Sequence, residues 1–405
     1  MKLGWDIRKL GDICHFENGD RGTNYPSKSH RANIGIPFIN AGHLNSSGLI
    51  MEKMDYITRE RFNLLGSGKI KSGDILFCLR GSLGKFACVE GLTEGAIASS
   101  LVIVRPNELV SRAFLMAYFE SKICADMIAK YSNGAAQPNL SAGNLRNFQI
   151  PLPPRPEQES IVAILDETLA TISKVKANAE QNLTNANELF ESYLQSLFTK
   201  KGDGWEEKSL GEIATVKGGK RVPKGYRLQT EPTNYPYIRV TDFNDNGSID
   251  MNDLHYVSED IFNQIKNYTI SSKDLYISIA GTIGKTGIVP KELEGANLTE
   301  NACKLVFKEG IDPKLIYYFT KSGDFLKQAG INTRIAAMPK LALIRLSTIH
   351  FSIPKSIRQQ QAIVQKLDAL SAETKKLEAI IYQKLSYLEE LKKSILQKAF
   401  SGELN

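Results

Sequence analysis

Cysteine is scarce in this chain, and long apolar runs are missing from it. The 405 residues include five cysteines, none of which belongs to a C-x-x-C pair. An odd number of thiols, mostly among apolar neighbours, excludes a disulfide scaffold and indicates reduced, buried side chains. No apolar run approaches the length of a membrane span, and the first residues form no signal core. We therefore expect a cytoplasmic protein that is neither exported nor inserted in a membrane.

Recognisable catalytic motifs are missing as well. The five histidines are scattered, and lone histidines are more often core or surface residues than metal ligands. The sequence has no Gly-x-Ser-x-Gly, no paired-glycine dinucleotide loop and no Asn-Pro-Pro-aromatic motif of enzymes that methylate a flipped base. The stretch from Gly281 to Thr286 ends like a phosphate-binding loop, but Ile279 stands where that motif requires glycine. We therefore predict a binding protein without catalytic residues, bound metal or bound cofactor.

Charge of one sign is only mildly in excess. The chain carries 51 Lys and Arg against 44 Asp and Glu, a net charge of +7. This surplus suits a nucleic-acid binder but is also common among cytosolic proteins, so it decides little by itself. The length is too great for one core and predicts two modules.

What the sequence does contain is an internal repeat. Trp5 recurs as Trp205, and Tyr118 recurs as Tyr318, with a shift of 200 residues. Two copies of one module predict a molecule with an internal pseudo-two-fold axis, which suits a target in two parts, such as two DNA half-sites. The other matched segments are Leu10-Gly11 with Leu210-Gly211, Gly81–Lys85 with Gly281–Lys285, Ile150-Pro151 with Ile353-Pro354, and Gln158–Asp166 with Gln360–Asp368.

Each copy ends in a long stretch of helical periodicity. Apolar residues step by three or four from Ile161 to Leu197, and again from Ile363 to Ala399. Both stripes take two successive steps of four at the same place, which indicates that the helices pack against each other. Two separate surface helices are the alternative, but helices of about forty residues, roughly 60 Å long, extend past one small module.

Chain order favours an antiparallel pair, because the first helix leads into the second module and the second helix starts from it. The predicted pairing residues are Ile161, Leu165, Ile172, Leu183, Leu197, Ile363, Leu367, Leu377, Leu385 and Ile395. The predicted fold class is α+β: two repeated α/β modules, at 1–154 and 203–355, joined by long antiparallel helices at 155–202 and 356–405.

Within each module the sequence predicts a buried strand that ends on a glycine hairpin and a lysine, Lys85 or Lys285. Glycine allows close approach of the backbone and lysine supplies a charge, which suits a DNA phosphate or base edge. A plain β-turn with an exposed lysine is the alternative. A helix is predicted at 111–129 in the first copy, and in the second Asp312 caps a helix that starts with Pro313.

Basic loops are the stronger binding signal. The segment 217–227 has five basic residues, no acid and one tyrosine, and segment 20–31 is its equivalent. Arg and Lys read guanine, Asn reads adenine, and Tyr and Ser hold phosphates, although a merely solvated loop is the alternative. Segments 133–140 and 334–341 share a Pro and Leu frame while their polar residues differ, as expected of two readers of different sequences. The predicted DNA-binding residues are Arg21, Asn24, Tyr25, Lys28, Arg31, Arg80, Ser82, Lys85, Gln137, Asn139, Lys217, Lys220, Arg221, Lys224, Tyr226, Arg227, Thr282, Lys285, Arg334 and Lys340.

A duplicated module of this kind, with Trp near its start, a Gly-x-x-Gly-Lys hairpin and a long helix, resembles the specificity subunit of a type I restriction-modification system. Two further stretches carry the resemblance, which covers the whole chain. They are Ile-Pro-Leu-Pro-Pro-x-x-Glu-Gln-x-x-Ile at 150–161 and Ile-Leu-Gln-Lys-Ala-Phe-Ser-Gly-Glu-Leu at 395–404. The junction at 353–361 departs from the first because it lacks Pro-Pro and Glu, so we expect a different shape there.

The resemblance implies a subunit without chemistry of its own that binds double-stranded DNA. Each module would be a target-recognition domain for one half of a bipartite asymmetric site, and the paired helices would set the spacing. The helices would also dock two adenine methyltransferase subunits, and two motor and nuclease subunits would join for restriction. S-adenosylmethionine, ATP and Mg would be bound by these partners.

Three alternatives remain open from the sequence. The chain could serve a related modification-only system without a nuclease, which a neighbouring gene for a motor subunit would decide. A dimer-like transcription regulator is weakened by the lack of helix-turn-helix spacing and by the length of the helices. A structural coiled-coil adaptor is weakened by the basic loops, and a salt-dependent DNA-binding assay would separate it from a DNA reader.

Overall fold

The computed structural model describes residues 4–45, 48–132, 139–199, 202–330 and 341–404. The chain forms two compact units, one of residues 1–179 with 383–405, the other of residues 180–382. Each unit contains one module together with parts of two long helices. Among the described residues, no helix has the length and apolar character needed to cross a membrane.

The first unit holds the first module and the start of the long helix α6. Its strands are β1 (Asp6–Lys9), β2 (Cys14–Asn18), β3 (Arg31–Ala32), β4 (Ile36–Ile39), β5 (Leu44–Asn45), β6 (Gly48–Leu49), β7 (Asp55–Ile57), β8 (Ile75–Cys78), β9 (Phe86–Cys88), β10 (Ala96–Ile97), β11 (Leu101–Pro106) and β12 (Gln149–Leu152). Its helices are α1 (Leu10–Ile13), α2 (Arg59–Leu64), α3 (Arg112–Glu120), α4 (Lys122–Tyr131) and α5 (Ala142–Arg146), and α6 (Arg155–Phe198) begins in this unit and ends in the second. Short 3-10 helices lie at Lys28–His30, Ala41–His43 and Met51–Lys53.

The second unit repeats this order. Its strands are β13 (Trp205–Ser209), β14 (Ala214–Gly218), β15 (Pro236–Ile238), β16 (His255–Tyr256), β17 (Leu275–Ser278), β18 (Thr286–Ile288), β19 (Asn297–Leu298), β20 (Ala302–Phe307) and β21 (His350–Pro354). Its helices are α7 (Leu210–Ile213), α8 (Glu259–Ile265), α9 (Pro313–Thr320), α10 (Gly323–Ala329), α11 (Leu343–Ser347) and α12 (Ile357–Ser401). Short 3-10 helices lie at Val240–Asp242, Lys266–Tyr268 and Lys291–Leu293.

The main sheets have the same topology in both units. A four-stranded antiparallel sheet has the order β2-β11-β8-β9 in the first unit and β14-β20-β17-β18 in the second. A mixed sheet has the order β10-β4-β7-β3 in the first unit and β16-β15-β19 in the second, and in each it contains one parallel pair, β10 with β4 or β15 with β19. Strands β5 and β6 form a further two-stranded sheet in the first unit. A two-stranded sheet, β1-β12 or β13-β21, joins the start of each module to its end. The repeat in the sequence is therefore a repeat of the fold.

Local sequence explains why these elements form. The central strands β8 and β17 are buried along their whole length, as continuous apolar strands in a covered sheet should be. The Asp312 side chain accepts a hydrogen bond from the amide of Lys314 and Pro313 opens α9, so the predicted cap is confirmed. All five cysteines are free and buried, as the apolar neighbours predicted.

The single helix predicted at 111–129 is wrong, because the structure has two helices there, α3 and α4. The hydroxyl of Ser121 donates to the carbonyl of Tyr118 and accepts from the amide of Cys124. A serine that satisfies backbone groups in this way ends one helix and caps the next. Ser322 makes the equivalent bonds between α9 and α10, so the break is part of the repeat.

The long helices pack antiparallel within each unit. In the first unit the start of α6, at Ile161 and Leu165, shares a core with the end of α12, at Leu396 and Phe400. Farther along, Lys176 pairs with Glu389 at 2.6 Å. In the second unit the end of α6 shares a core with the start of α12; the residues are Leu194, Phe198, Val364 and Leu367. The predicted fold class, with repeated α/β modules and antiparallel long helices, is confirmed.

The predicted pairing residues do not all lie in the helix interface. Leu377 is 43% exposed, because ten residues at 100° each turn it about 80° around α12 from the buried Leu367. Where the apolar stripes take two successive steps of four, Ala179 and Ile381 are buried. Of the other predicted residues, Ile161, Leu165, Ile172 and Leu367 are buried, and Leu183, Leu197, Ile363, Leu385 and Ile395 are half-buried.

The junctions between module and helix are hydrogen-bonded alike, contrary to the expectation of different shapes. The amide of Gln158 accepts from the Ser111 N–H and donates to the carbonyls of Leu109 and Pro153. The amide of Gln360 makes the same three bonds with its own module; the partners are Asp312, Gly310 and Pro354. The bonds depend on this glutamine, which both copies keep, and not on the Pro-Pro and Glu that the second lacks.

Candidate nucleic-acid interface

One edge of the four-stranded sheet brings together the segments that carry some of the predicted binding residues in each unit. In the first unit, β2 ends at Asn18, β8 ends at Cys78 and β11 begins at Leu101, all at the same edge. In the second unit, the equivalent positions are the end of β14, the end of β17 and the start of β20. Three segments leave this edge. They are the basic loop, the glycine hairpin, and the segment that leads into β11 or β20.

The hairpin has the tight glycine geometry that the sequence predicts. Strand β8 pairs antiparallel with β9, and the loop closes with Gly84 donating its amide to the carbonyl of Cys78. Gly81 and Gly84 both have φ of +81°, a left-handed conformation that favours glycine. In the second copy Gly281 and Gly284 have φ of +75° and +92°. No atom lies within 4 Å of a Cβ placed on Gly81, so this turn is open to an incoming group.

In the first unit Arg21, Arg80 and Asn139 come to this edge. The guanidinium of Arg80 donates to the amide oxygen of Asn139 at 3.1 Å, and that of Arg21 donates to the carbonyl of Ser99 at 3.3 Å. The three residues are exposed. Backbone bonds between Leu79, Ser100 and Leu140 hold their segments side by side. Ser82 is exposed on the hairpin beside them.

Other residues of the first basic loop turn back onto the module. Asn24 donates to the carbonyl of Leu64, and the half-buried ring of Tyr25 packs edge-on against Phe38. Arg31 pairs with Asp55 at 2.7 Å, which neutralises its charge locally. The structure therefore separates Arg21, at the sheet edge, from Asn24, Tyr25 and Arg31, which have partners within the mixed-sheet part of the module.

The basic loop of the second unit is more open. Lys217, Lys220, Lys224 and Arg227 are exposed, and among the described residues none of them has an ion-pair partner. The ammonium of Lys220 lies 5.6 Å from the ring centre of Tyr268, a cation–π contact that leaves the ammonium near solvent. Tyr226 is 49% exposed, and Thr282 is exposed on the hairpin.

A groove of about 600 Å³ runs beside this loop. Arg221 lines it and pairs with Glu300, whose carboxylate stays ionised: partial burial raises the pKa, but hydrogen bonding from Arg221 lowers it overall. Tyr237 anchors the loop by donating its hydroxyl hydrogen to the carbonyl of Lys220 at 2.8 Å. An Arg beside a Glu offers donors for guanine or phosphate and an acceptor for the amino group of cytosine.

The two hairpin lysines differ in their surroundings. Lys285 donates to the carbonyl of Phe243 at 2.9 Å and pairs with Asp245 at 3.0 Å. Lys85 is half-buried, and among the described residues its ammonium has no hydrogen-bond or carboxylate partner. Contact of either lysine with DNA stays a prediction, and Lys285 would have to exchange two existing contacts to make it.

Several predicted residues cannot be placed. Gln137, Arg334 and Lys340 lie outside the described residues, and so does the side chain of Lys28. Conversely, the sequence prediction missed Tyr237, Glu300 and Asn301, which line the groove. A signal existed in the polar run Thr-Glu-Asn at 299–301, directly before a buried strand.

A family model and curated relatives of this chain both describe type I restriction specificity proteins. The type I restriction modification DNA specificity domain matches the chain twice, over residues 2–184 and 202–387. The specificity subunit of type I restriction enzyme EcoBI from Escherichia coli is 27% identical over an alignment of 298 positions, which covers 66% of this chain and 60% of that protein. The MjaIX specificity subunit from Methanocaldococcus jannaschii is 22% identical over an alignment of 429 positions, which covers 99% of this chain and 93% of that protein.

Solved structures show the same fold. A chain from a structure concerned with complex assembly and conformational transition of the type I R-M system superposes with a TM-score of 0.82 at 18% identity, covering 100% of this chain and 99% of that one. The HsdS subunit from Thermoanaerobacter tengcongensis superposes with a TM-score of 0.60 at 18% identity, covering 100% and 98%.

Proposed function

Because the chain belongs to the family of type I restriction-modification DNA specificity proteins, we propose that it reads a bipartite, asymmetric site in double-stranded DNA. The first module reads one half-site and the second module reads the other. The chain itself carries out no catalytic step. Adenine methylation is the task of two methyltransferase subunits with S-adenosylmethionine, and restriction is the task of two motor and nuclease subunits with ATP and Mg.

The observation that carries this proposal is the repeated sheet edge. In both units the same strand ends present a basic loop and a glycine hairpin, while the side chains on them differ. The first unit presents Arg80 hydrogen-bonded to Asn139, and the second presents Arg221 hydrogen-bonded to Glu300. A common scaffold with different hydrogen-bonding groups supports two readers of different sequences.

A charge-removal series tests DNA binding at this edge. Lys220→Ala should weaken binding by about 1 kcal/mol and reduce the slope of log K against log salt by about one ion. Lys308→Ala is the matched control, because Lys308 is exposed just beyond the opposite end of β20. Equal salt slopes for the two variants would contradict placing DNA at this edge.

We further propose that the paired helices set the distance between half-sites. One heptad with the apolar pattern, inserted after Ala179 and matched after Ile381, preserves both stripes and adds about 10 Å of helix. Since DNA rises about 3.4 Å per base pair, the spacer should lengthen by at most about three pairs, with some loss of affinity because one half-site rotates. An unchanged spacer with full activity would mean that another element sets the distance.

Exposed apolar side chains on α12 support docking of partner subunits on the helices. Within the second unit Leu377 and Ile380 are 43% and 53% exposed, and within the first unit Tyr387 and Leu391 are 58% and 46% exposed. Each pair is spaced by three or four residues and so lies on one helix face. Tyr387→Glu should weaken assembly with the methyltransferase while leaving the folded chain intact, which co-purification and mass photometry would measure.

A further inference from the structure

The first unit contains a cavity beside its hairpin lysine. Its volume is about 720 Å³, and its walls come from the hairpin, from the segment after β6, from α3 and from the end of α12. Met51, Phe86, Met116 and Leu396 supply apolar surface, and Lys85 supplies a positive charge. A cavity of this size is within the range of small-molecule sites.

The second unit fills the equivalent space with its own aromatic rings. Tyr317 donates its hydroxyl hydrogen to the carbonyl of Asn246 at 3.2 Å, and its ring lies against Gly247. Tyr276 donates to the carbonyl of Ser248 at 2.7 Å and stacks on Phe243 with ring centres 4.1 Å apart. This unit therefore needs no ligand there.

The first unit has no aromatic residue at the matched positions. Ala117 stands at the position of Tyr317, Leu76 at that of Tyr276, and Leu44 at that of Phe243, according to the matched strands and helices. Ala117 lines a second cavity of about 170 Å³, which shares Met116 and Leu396 with the large one. Leu76 and Leu44 are fully buried in a packed core, so the open space in the first unit lies where the Tyr317 ring would be.

The charge on the hairpin lysine is also left unmatched. In the second unit Lys285 binds the carboxylate of Asp245 and the carbonyl of Phe243. Among the described residues, the ammonium of Lys85 has no such partner in the first unit. Of the other charged residues that line the cavity, Lys392 pairs with Glu120 at 2.9 Å and Glu389 pairs with Lys176 at 2.6 Å. Glu90 and Lys393 line it as well. Lys85 alone among the cavity's hairpin side chains offers a charge-assisted hydrogen bond.

We propose that this cavity binds a small aromatic carboxylate. The aromatic ring occupies the apolar part that the Tyr317 ring fills in the other unit, and the carboxylate accepts a hydrogen bond from Lys85. The second unit thus shows, with its own tyrosine and aspartate, the chemistry that the first unit takes from a free ligand.

Ligand-observed NMR and calorimetry with 4-hydroxyphenylacetate on the full chain test this directly. We expect saturable one-to-one binding with a Kd of about 1 mM, the affinity that a ligand of this size normally reaches. 4-Methylphenol, which lacks the carboxylate, should bind about tenfold more weakly. Lys85→Met should weaken binding of the acid about tenfold, whereas Lys291→Met, which removes an exposed lysine of the other unit, should leave it unchanged.

Ala117→Tyr restores the ring found in the second unit and should abolish binding. If this variant does not fold, which a thermal melt will show, Lys85→Met decides the matter. No saturable binding at about 10 mM acid, or equal affinity of wild type and Lys85→Met, would overturn the proposal. Binding of a blocked Asp-Ala-Tyr peptide without binding of the free acid would also overturn it, because the ligand would then be a protein segment.

Discussion

Removing the buried glutamine at one junction should destabilise one unit and spare the other. Gln158 and Gln360 are 0% and 1% exposed, and each amide satisfies three backbone groups of its own module. Gln158→Leu keeps approximately the same volume but removes both polar atoms. The amide of Ser111 and the carbonyl of Pro153 then lose their buried partners.

The magnitude follows from those groups. An unsatisfied buried backbone group costs about 1–3 kcal/mol, so two of them should cost about 3 kcal/mol in unfolding free energy. The carbonyl of Leu109 adds little, because Leu109 is 54% exposed and water can replace the lost donor. Gln361→Leu, at an exposed position beside Gln360, is the control and should change stability by less than about 0.5 kcal/mol.

Hydrogen exchange with mass spectrometry should locate the effect. Gln158→Leu should accelerate exchange in α3 and the strands of the first unit, and Gln360→Leu should do so in α9 and its neighbours. The reason is that the side-chain amides of Gln158 and Gln360 accept hydrogen bonds at the starts of α3 and α9. If the variants at Gln158 and Gln361 were equally stable in denaturant, or if Gln158→Leu loosened both units alike, the reasoning would be refuted.

Three further outcomes follow from burial. Ile381→Asp should lower the free energy of unfolding by more than about 3 kcal/mol and Leu385→Asp by clearly less, because Ile381 is 5% exposed and Leu385 is half-buried. Denaturant melts would measure both, and a reversed order would contradict the packing. Iodoacetamide at pH 8 should label no cysteine in the native chain and all five after unfolding, because burial raises the pKa of Cys14, Cys124 and Cys303 to about 12; rapid native labelling would show that these thiols are accessible. Because these pKa values lie above the ordinary 9.0, the thiols leave the free energy of unfolding unchanged below about pH 9 and lower it between about pH 9 and 12. Cys303→Ala should reduce the slope of this decrease by up to about 1.4 kcal/mol per pH unit. An unchanged slope would contradict the assignment.

Much of the fold could be predicted from the sequence, because its signals are local or periodic. The glycine hairpins, the Asp312 cap and the two apolar stripes each follow from residue types at fixed spacing. The break at Ser121 could not be predicted, because a serine inside a helical pattern can face solvent or cap a new helix. The repeated glutamine at the junctions was visible as a match, but two of the three bonds of Gln158 are to residues 47 and 49 positions away in sequence.

The candidate site was less predictable, because charge in a sequence does not show which charges are paired. Arg31 finds Asp55, and Lys285 finds Asp245, across loops without periodicity. Arg80 and Asn139 were predicted separately, and only the fold brings them into contact. The residues that determine base identity depend on such contacts and on the geometry of bound DNA.

The division of the DNA site between the two modules is tested most directly by exchanging one module. Residues 203–355 would be replaced by the equivalent segment of a related specificity subunit, and methylated adenines would be mapped in cells that also supply the methyltransferase. Our account predicts that one half-site changes to that of the donor while the other half-site and the spacer stay the same. A change in both half-sites, or in neither, would contradict it.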